Sequence, residues 1–423
     1  MKSEVEAVAA GSSGPGGSCR FCGSSLRHTF VDLGMSPLCE SFLEAGQLGQ
    51  VEAFYPLHAY VCDVCFLVQL QEYVSPKEIF TEYAYFSSYS DAWLAHARDF
   101  TQAICQRLSL DRQSLVVELA SNDGYLLQNF VERNIPVLGI EPAANVASVA
   151  VAKGIETLVE FFGEELAQNL ASQKIAADLV IGNNVLAQVP QLNSFVKGMR
   201  HILKPNGVIT MEFPHLTRLV EGNQFDTIYH EHFSYFSFFA VEKIFASHGL
   251  TVFDVEELWT HGGSLRIYAR HESEGSRAVT KKVEELRSRE REAGYGGLEI
   301  YSSFEERVKE TKRKLLEFLI DAKRAGKTVV GYGAPGKGNT LLNYCGVRSD
   351  FLDFTVDRNP YKHGKFLPGT HIPIYPPDRI EETRPDYILI LPWNLKQEIS
   401  EQLAHARKWG AKFVVPIPEV SVF

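Results

Sequence analysis

Between Thr227 and Ser237 the sequence TIYHEHFSYFS gathers two histidines, a glutamate and two tyrosines into a few positions. His230 and His232 stand two apart, a spacing that puts them on one face of a strand but on opposed faces of a helix. The zincin spacing H-E-x-x-H is absent and no further ligand-spaced cysteine or histidine lies nearby, so a metal is not expected here. Histidine beside glutamate and tyrosine suits acid–base work instead, because a neighbouring carboxylate can orient an imidazole and set its basicity near neutral pH.

Metal chemistry is expected elsewhere. CRFC (Cys19, Cys22) and CDVC (Cys62, Cys65) are two knuckles in one short segment, a pattern that fits four thiolates around a structural zinc ion with no open position. Cys39 lies between them without a knuckle partner.

Two turns could receive a ligand. In VVELASNDGYLL a strand ends on Glu118, and the turn ASNDG offers Ala120, Asn122 and Gly124 before a helix. Small residues there let a backbone approach an adenosyl group closely. Glu141 ends the next strand, where an acid can accept from both ribose hydroxyls, and Asn183 is counted with these contacts. The G-x-G-x-x-G of nicotinamide enzymes is missing, so the pattern suits S-adenosylmethionine, which has no phosphates to cradle. The second turn, GYGAPGKGNT, nearly matches a P-loop, but Gly338 stands where the magnesium-binding hydroxyl belongs. A diphosphate bound without hydrolysis, with Lys337 adding charge at a helix N-terminus, is the expected use.

The elements that position these residues alternate. SLVVEL, IPVLGIE, ADLVIGNN and GVITMEF read as parallel strands separated by helices, and TVFDVEEL with SLRIYARH as an antiparallel edge. The histidine cluster follows the fifth parallel strand and so belongs at the carboxyl ends, where such sheets bind ligands. Charged helical sequence fills about 275–325, and KTVVGYG opens a second αβ unit. The expected class is α/β: a doubly wound sheet flanked by a small zinc-binding module and a second αβ domain. The expected boundaries are a disordered lead-in (1–17), the zinc module (18–80), the central α/β domain (81–272) and the C-terminal domain (273–423).

With 423 residues, 45% hydrophobic and 22% charged, the composition is that of a multi-domain globular protein. A net charge of −10 argues against nucleic acid held by phosphate contacts. No apolar run reaches membrane-spanning length, and the first residues lack the apolar core of a signal peptide, which places the expectation in the cytoplasm.

Taken together, YAYFSSYS, ELASNDGYLL, IEP, NNVLAQV, FDTIYHEHFSY, HGGSLR and GYGAPGKG, behind four cysteines, resemble the three-domain sugar C-methyltransferases. The resemblance runs from about Cys19 to near the end of the chain, and it implies a class I methyltransferase, Rossmann-like sheet (81–272) between the zinc-binding module and a second Rossmann-like domain (273–423). It implies S-adenosylmethionine as methyl donor, a zinc-binding front end, and a nucleotide-linked (dTDP) 4-keto-6-deoxysugar as substrate, held partly by the C-terminal domain. It places the general base on His232, its partners on Tyr229 and Glu231, and an aromatic of the sugar pocket on Tyr83. The chain departs from the family motif N-N-V-L-A-H-V at Gln188, which cannot carry a proton at neutral pH. Asn184 remains as a polar pocket residue. Carbon needs charge before it can accept a methyl, so His232 is expected to take a proton beside the 4-keto group. Glu231 or Tyr229 would hold the imidazole or meet the enolate oxygen. The rival readings are O- or N-methylation on the same scaffold, and a non-catalytic binding scaffold. Fused substrate domains would let a monomer suffice.

Overall fold

A computed structural model of the chain describes residues 15–80 and 86–423; Tyr83 and the first 14 positions of the lead-in lie outside the described residues. Strands β1 (His28–Ser36), β2 (Tyr55–Val61) and β3 (Val68–Leu70) form an antiparallel meander after the first cysteine knuckle. Phe30, Val31, Leu57, Ala59, Val61 and Val68 carry its core, the buried apolar content that short strands need to hold together.

The central sheet begins with β4 (Val116–Leu119), β5 (Val137–Ile140), β6 (Thr157–Leu158), β7 (Ala177–Asn183) and β8 (Leu203–Pro214), all parallel to their neighbours. β4 and β7 are short apolar runs with helices on both faces, as parallel strands require. Next comes β9 (Ser234–Tyr235), which does not join this sheet. It pairs with β3 and completes the N-terminal one, in the order β1-β2-β3-β9. β10 (Leu250–Leu258) and β11 (Ser264–His271) then form the expected antiparallel edge, giving the order β10-β11-β8-β7-β4-β5-β6. This is a doubly wound, Rossmann-like sheet whose order reverses between β4 and β7.

A third sheet contains β12 (Val329–Tyr332), β13 (Thr355–Val356), β14 (Ile374–Tyr375), β15 (Tyr387–Ile390), β16 (Lys412–Val415) and β17 (Ser421–Val422). It runs β14-β13-β12-β15-β16-β17, antiparallel only at the last pair. The charged segment before it folds as three helices, Lys281–Glu292, Glu299–Ser302 and Phe304–Arg324. The first packs Val283 and Leu286 into the central core, while the last puts Val308, Leu315 and Leu319 into the core shared by the two outer sheets.

Gly124 has a packing reason as well as a conformational one. Its φ is +76°, and a Cβ there would collide with Ile155 Cδ1 and stand 3.2 Å from the Ala150 Cβ. Gly124→Ala is therefore expected to destabilise the central sheet by about 2–4 kcal/mol, combining left-handed strain with overpacking. Urea unfolding checks this: an unchanged midpoint would mean that Ile155 gives way freely.

Candidate active site

One cavity of about 970 Å³ opens where the three sheets meet. Its central wall comes from the carboxyl ends of the parallel strands: Ala120 and Asn122 after β4, Glu141 after β5, Asn183 and Asn184 at the end of β7. The N-terminal sheet contributes Cys39 and Glu40 from the loop after β1. The third sheet contributes Pro335, Gly336 and Lys337 from the turn after β12.

The histidine cluster is a turn rather than a strand, and its two histidines part company. His230 points away, its Nε2 at 3.2 Å from the Pro56 carbonyl oxygen and its ring edge-on to Tyr55. His232 lines the cavity. Its Nδ1 donates to the Thr227 carbonyl oxygen at 3.1 Å, which leaves Nε2 as the ring's lone pair. Tyr229 lies against the same ring with centroids 4.1 Å apart. Burial pushes the His232 imidazole down to about 4, and the neighbouring His261 and Lys337 act in the same direction. It is thus a neutral acceptor at physiological pH.

Glu231 does not hold this imidazole; the Thr227 backbone does. The glutamate turns to the Cys39 thiol, which donates to its Oε1 at 3.7 Å. Burial, then the nearby Glu40 carboxylate, raise Glu231 to about 8, so at neutral pH it carries a proton it can donate.

Of the adenosyl candidates, the structure brings Ala120, Asn122, Glu141 and Asn183 onto the cavity wall, and not Glu118 or Gly124. Ala120 and Asn122 both take positive φ, at 55° and 50°, which turns the β4 loop inward. Glu141 braces that loop by accepting from the Asn122 N–H through Oε2 and the Ala143 N–H through Oε1, each at 2.9 Å. The Asn183 amide is buried with neither polar atom paired, a side chain ready for a polar ligand. Glu118 lies beneath the loop, its carboxyl raised by burial and then by Glu141 and Asp123. These groups fit an adenosyl ligand: an acid after β5, a tight inward turn after β4, and an unpaired amide beside them.

The four knuckle sulfurs lie within 4.8 Å of one another, with Cys19–Cys65 and Cys22–Cys62 each at 3.5 Å. A tetrahedron with Zn–S bonds of about 2.3 Å has edges of about 3.8 Å, so the four thiolates fit one ion. The knuckle also reaches the His232 turn. The Arg20 N–H donates to Gln69 Oε1 at 2.9 Å, and Gln69 Nε2 donates to Cys19 Sγ at 3.2 Å. The Arg20 guanidinium donates to the Leu70 carbonyl oxygen and covers the Phe233 ring at 5.5 Å. Phe233, the residue after His232, is then held on both sides of its backbone: its carbonyl accepts from Leu70 at 3.0 Å, and its N–H donates to Ala187 at 2.7 Å.

Gln188 and Asn184 both line the cavity. Asn184 takes a left-handed φ of 57°, and its Nδ2 donates to His261 Nε2 at 3.0 Å. His261 was legible only as part of HGGSLR. The loop that carries it is anchored by Thr260, which donates to Glu212 at 2.9 Å. Burial raises Glu212, but its bond with His96 and the Arg266 charge outweigh that and bring it down to about 2. Cys39 and Glu40 carry no local motif, and only the meeting of the three sheets reveals them.

Three family models match successive parts of the chain. They are a zinc binding domain over residues 19–80, a methyltransferase domain over 93–255, and a C-methyltransferase C-terminal domain over 259–418. The chain is 36% identical over 404 residues to the C-methyltransferase NovU of Streptomyces niveus, covering 96% of each. Among solved structures, an S-adenosylmethionine-dependent methyltransferase from Clostridium acetobutylicum is similar at 13% identity and a TM-score of 0.33, over 41% of this chain and 90% of that one. Magnesium protoporphyrin IX methyltransferase of Synechocystis is similar at 13% identity and a TM-score of 0.32, over 46% and 88%.

Proposed function

This chain belongs to the S-adenosylmethionine-dependent C-methyltransferases, and from that premise we propose that it methylates a carbon beside the ketone of a nucleotide-linked (dTDP) 4-keto-6-deoxysugar. Transfer to oxygen or nitrogen and the non-catalytic scaffold fall away with family membership. S-adenosylmethionine supplies a methyl group already activated on sulfonium sulfur. The chain's own task is to make carbon nucleophilic.

The observation that carries the proposal is the placement of His232: a neutral imidazole whose Nε2 has no partner among the described residues, on the wall of the cavity that also holds the β4, β5 and β7 loop ends. In this reading Nε2 takes the proton, the C–H pair becomes the enolate, and that carbon takes the methyl. The bound donor would supply that methyl, the C–S bonding pair staying with its sulfur. Protonated Glu231 stands on the same wall as a donor. A cavity of about 970 Å³ is at the upper end of the range of about 300–1,000 Å³ for ligand pockets, in keeping with two sizeable ligands at once. The same proposal includes the division into a zinc-binding module (18–80), a methyltransferase core (81–272) and a sugar-nucleotide-binding part (273–423), and a cytoplasmic setting. Among the described residues no helix is long and apolar enough to cross a membrane.

Gln188 is proposed to bear on which sugar isomer fits, since an amide donates or accepts but does not titrate. The test is mass spectrometry of reactions in D₂O with a panel of dTDP-4-keto-6-deoxysugars, with and without S-adenosylmethionine. Deuterium uptake at one ring carbon, and a methyl group on that same carbon with donor present, are expected. Gln188→His is expected to change the ranking of the panel. A methyl found on oxygen, or no reaction with any member, would sink the assignment.

A further inference from the structure

Resting on that C-methylation reading, we propose that Lys337 is a catalytic residue whose ammonium meets the negative charge developing on the substrate's carbonyl oxygen as His232 removes the neighbouring proton. The sequence offered Lys337 to a phosphate at a helix N-terminus. The structure favours a different partner. The helix Gly336–Cys345 begins at the cavity, but Glu40 crowds its first residue, with Oε1 at 3.4 Å from where a Gly336 Cβ would stand. A Cβ on Gly336 would stand 2.8 Å from Cys39 Sγ, so that end is closely covered.

Lys337 instead runs along the inner wall. Its Nζ lies 4.9 Å from the centre of the Trp393 ring and, among the described residues, reaches two oxygens, the His261 carbonyl at 3.5 Å and Asn394 Oδ1 at 3.4 Å. Both are at the long limit of hydrogen bonding, and an ammonium has three protons to give. Among the described residues it has no carboxylate within ion-pair distance, whereas Lys362 and Lys365 on the outer wall face Glu40 at 3.7 Å and Glu44 at 3.3 Å. A sheltered cation without an ion pair is costly to keep, and it is retained where a charge arrives later.

That charge would arise beside the base. Asp226, one residue before the Thr227 that orients His232, is joined to the Trp393 ring that Lys337 covers. Its Oδ2 accepts from Trp393 Nε1 at 2.7 Å, and its Oδ1 has no partner. Burial pushes the Lys337 ammonium down and Asp226 acts against that shift; both cavity histidines, His232 and His261, are lowered by burial and further by Lys337. Proton acceptor and cation therefore share one pocket, the arrangement an enolate needs: one group takes the proton, the other takes the charge left behind.

The test compares Lys337→Met and Lys337→Arg with the wild type for kcat, KM for the dTDP-keto-sugar, and donor-free deuterium exchange at the ring carbon. Lys337→Met is expected to lower kcat and exchange together by about 10²–10³-fold with KM within about threefold. Lys337→Arg, which restores the charge, is expected to recover part of the loss. The acidic limb of the rate profile is expected to move to higher pH in Lys337→Met, because the cation facing His232 is gone while His261 and the Tyr229 and Tyr235 rings remain. Unchanged S-adenosylmethionine affinity by calorimetry establishes that the variant is folded. A raised KM with kcat intact would instead make Lys337 a phosphate clamp and overturn the proposal. So would full exchange with methyl transfer lost, or no change in either. If the wild type itself shows neither exchange nor a carbon-bound methyl, it is the C-methylation reading that fails, before the variants are compared.

Discussion

His232→Asn is expected to lower both methyl transfer and donor-free ring-carbon exchange by about 10²–10⁴-fold, the range for loss of a positioned general base. Asparagine separates the roles of the side chain. Its amide can still donate to the Thr227 carbonyl that now receives Nδ1, but it has no basic nitrogen to aim at substrate. S-adenosylmethionine affinity should be unchanged, because Ala120, Asn122, Glu141 and Asn183 come from other loops of the cavity. The pH profile adds a second reading of the same site. With His232 brought down to about 4, kcat/KM should be fully developed at neutral pH and fall as pH drops through that value, where the imidazole becomes charged. With Glu231 raised to about 8, a second fall above that pH follows if its proton is used. The groups facing His232 are Tyr229, Tyr235, His261 and Lys337; those facing Glu231 are Cys39, Glu40 and Lys362. Full exchange in His232→Asn would move the base elsewhere, with His261 the next imidazole on the wall.

Removing zinc is expected to silence the enzyme by about 10²-fold or more, although the metal takes no part in the chemistry, because a base displaced by about 1 Å can lose that much. Four thiolates without their ion repel as anions or sit as poorly packed thiols, and small zinc-built modules lose order when stripped. Here the module's sheet includes β9, and Arg20 ties the first knuckle to Leu70 and Phe233. The slack should therefore appear at Phe233–Tyr235, directly after His232. Chelation followed by hydrogen exchange should show lost protection at residues 68–70 and 233–235, with S-adenosylmethionine binding retained. Protected strands in the metal-free protein, or full activity, would contradict the coupling.

The elements were legible because their signals are local. β4, β5, β7 and β8 are apolar runs bounded by turns, the antiparallel edge follows them in order, and the four cysteines announce themselves by spacing. The site was legible where residues sit at strand ends, as with Asn122, Glu141 and Asn184. It was not legible where a side chain's partner is remote in sequence. Nothing near Glu231 suggests that it turns to Cys39, and the spacing of His230 and His232 left one face of a strand or opposed faces of a helix open, without showing that only His232 meets the cavity. Gly124 drew notice as a ligand-approach glycine, yet what crowds it is Ile155. Such contacts depend on tertiary packing, which no short window encodes.

The pairing of β3 with β9 also bears on how this architecture can be recombined. A front end swapped between relatives at a boundary near residue 80 would leave behind the strand that finishes its own sheet, Ser234–Tyr235, and would inherit a foreign one from the recipient. Since side chains alternate across a strand, a register mismatch of one residue would reverse which of the two faces the core. The natural unit of exchange is thus discontinuous: the cysteine-bearing segment together with the turn that carries the base. Shuffling that respects both pieces should yield active hybrids, and a single crossover between them should yield proteins that bind the methyl donor and transfer little.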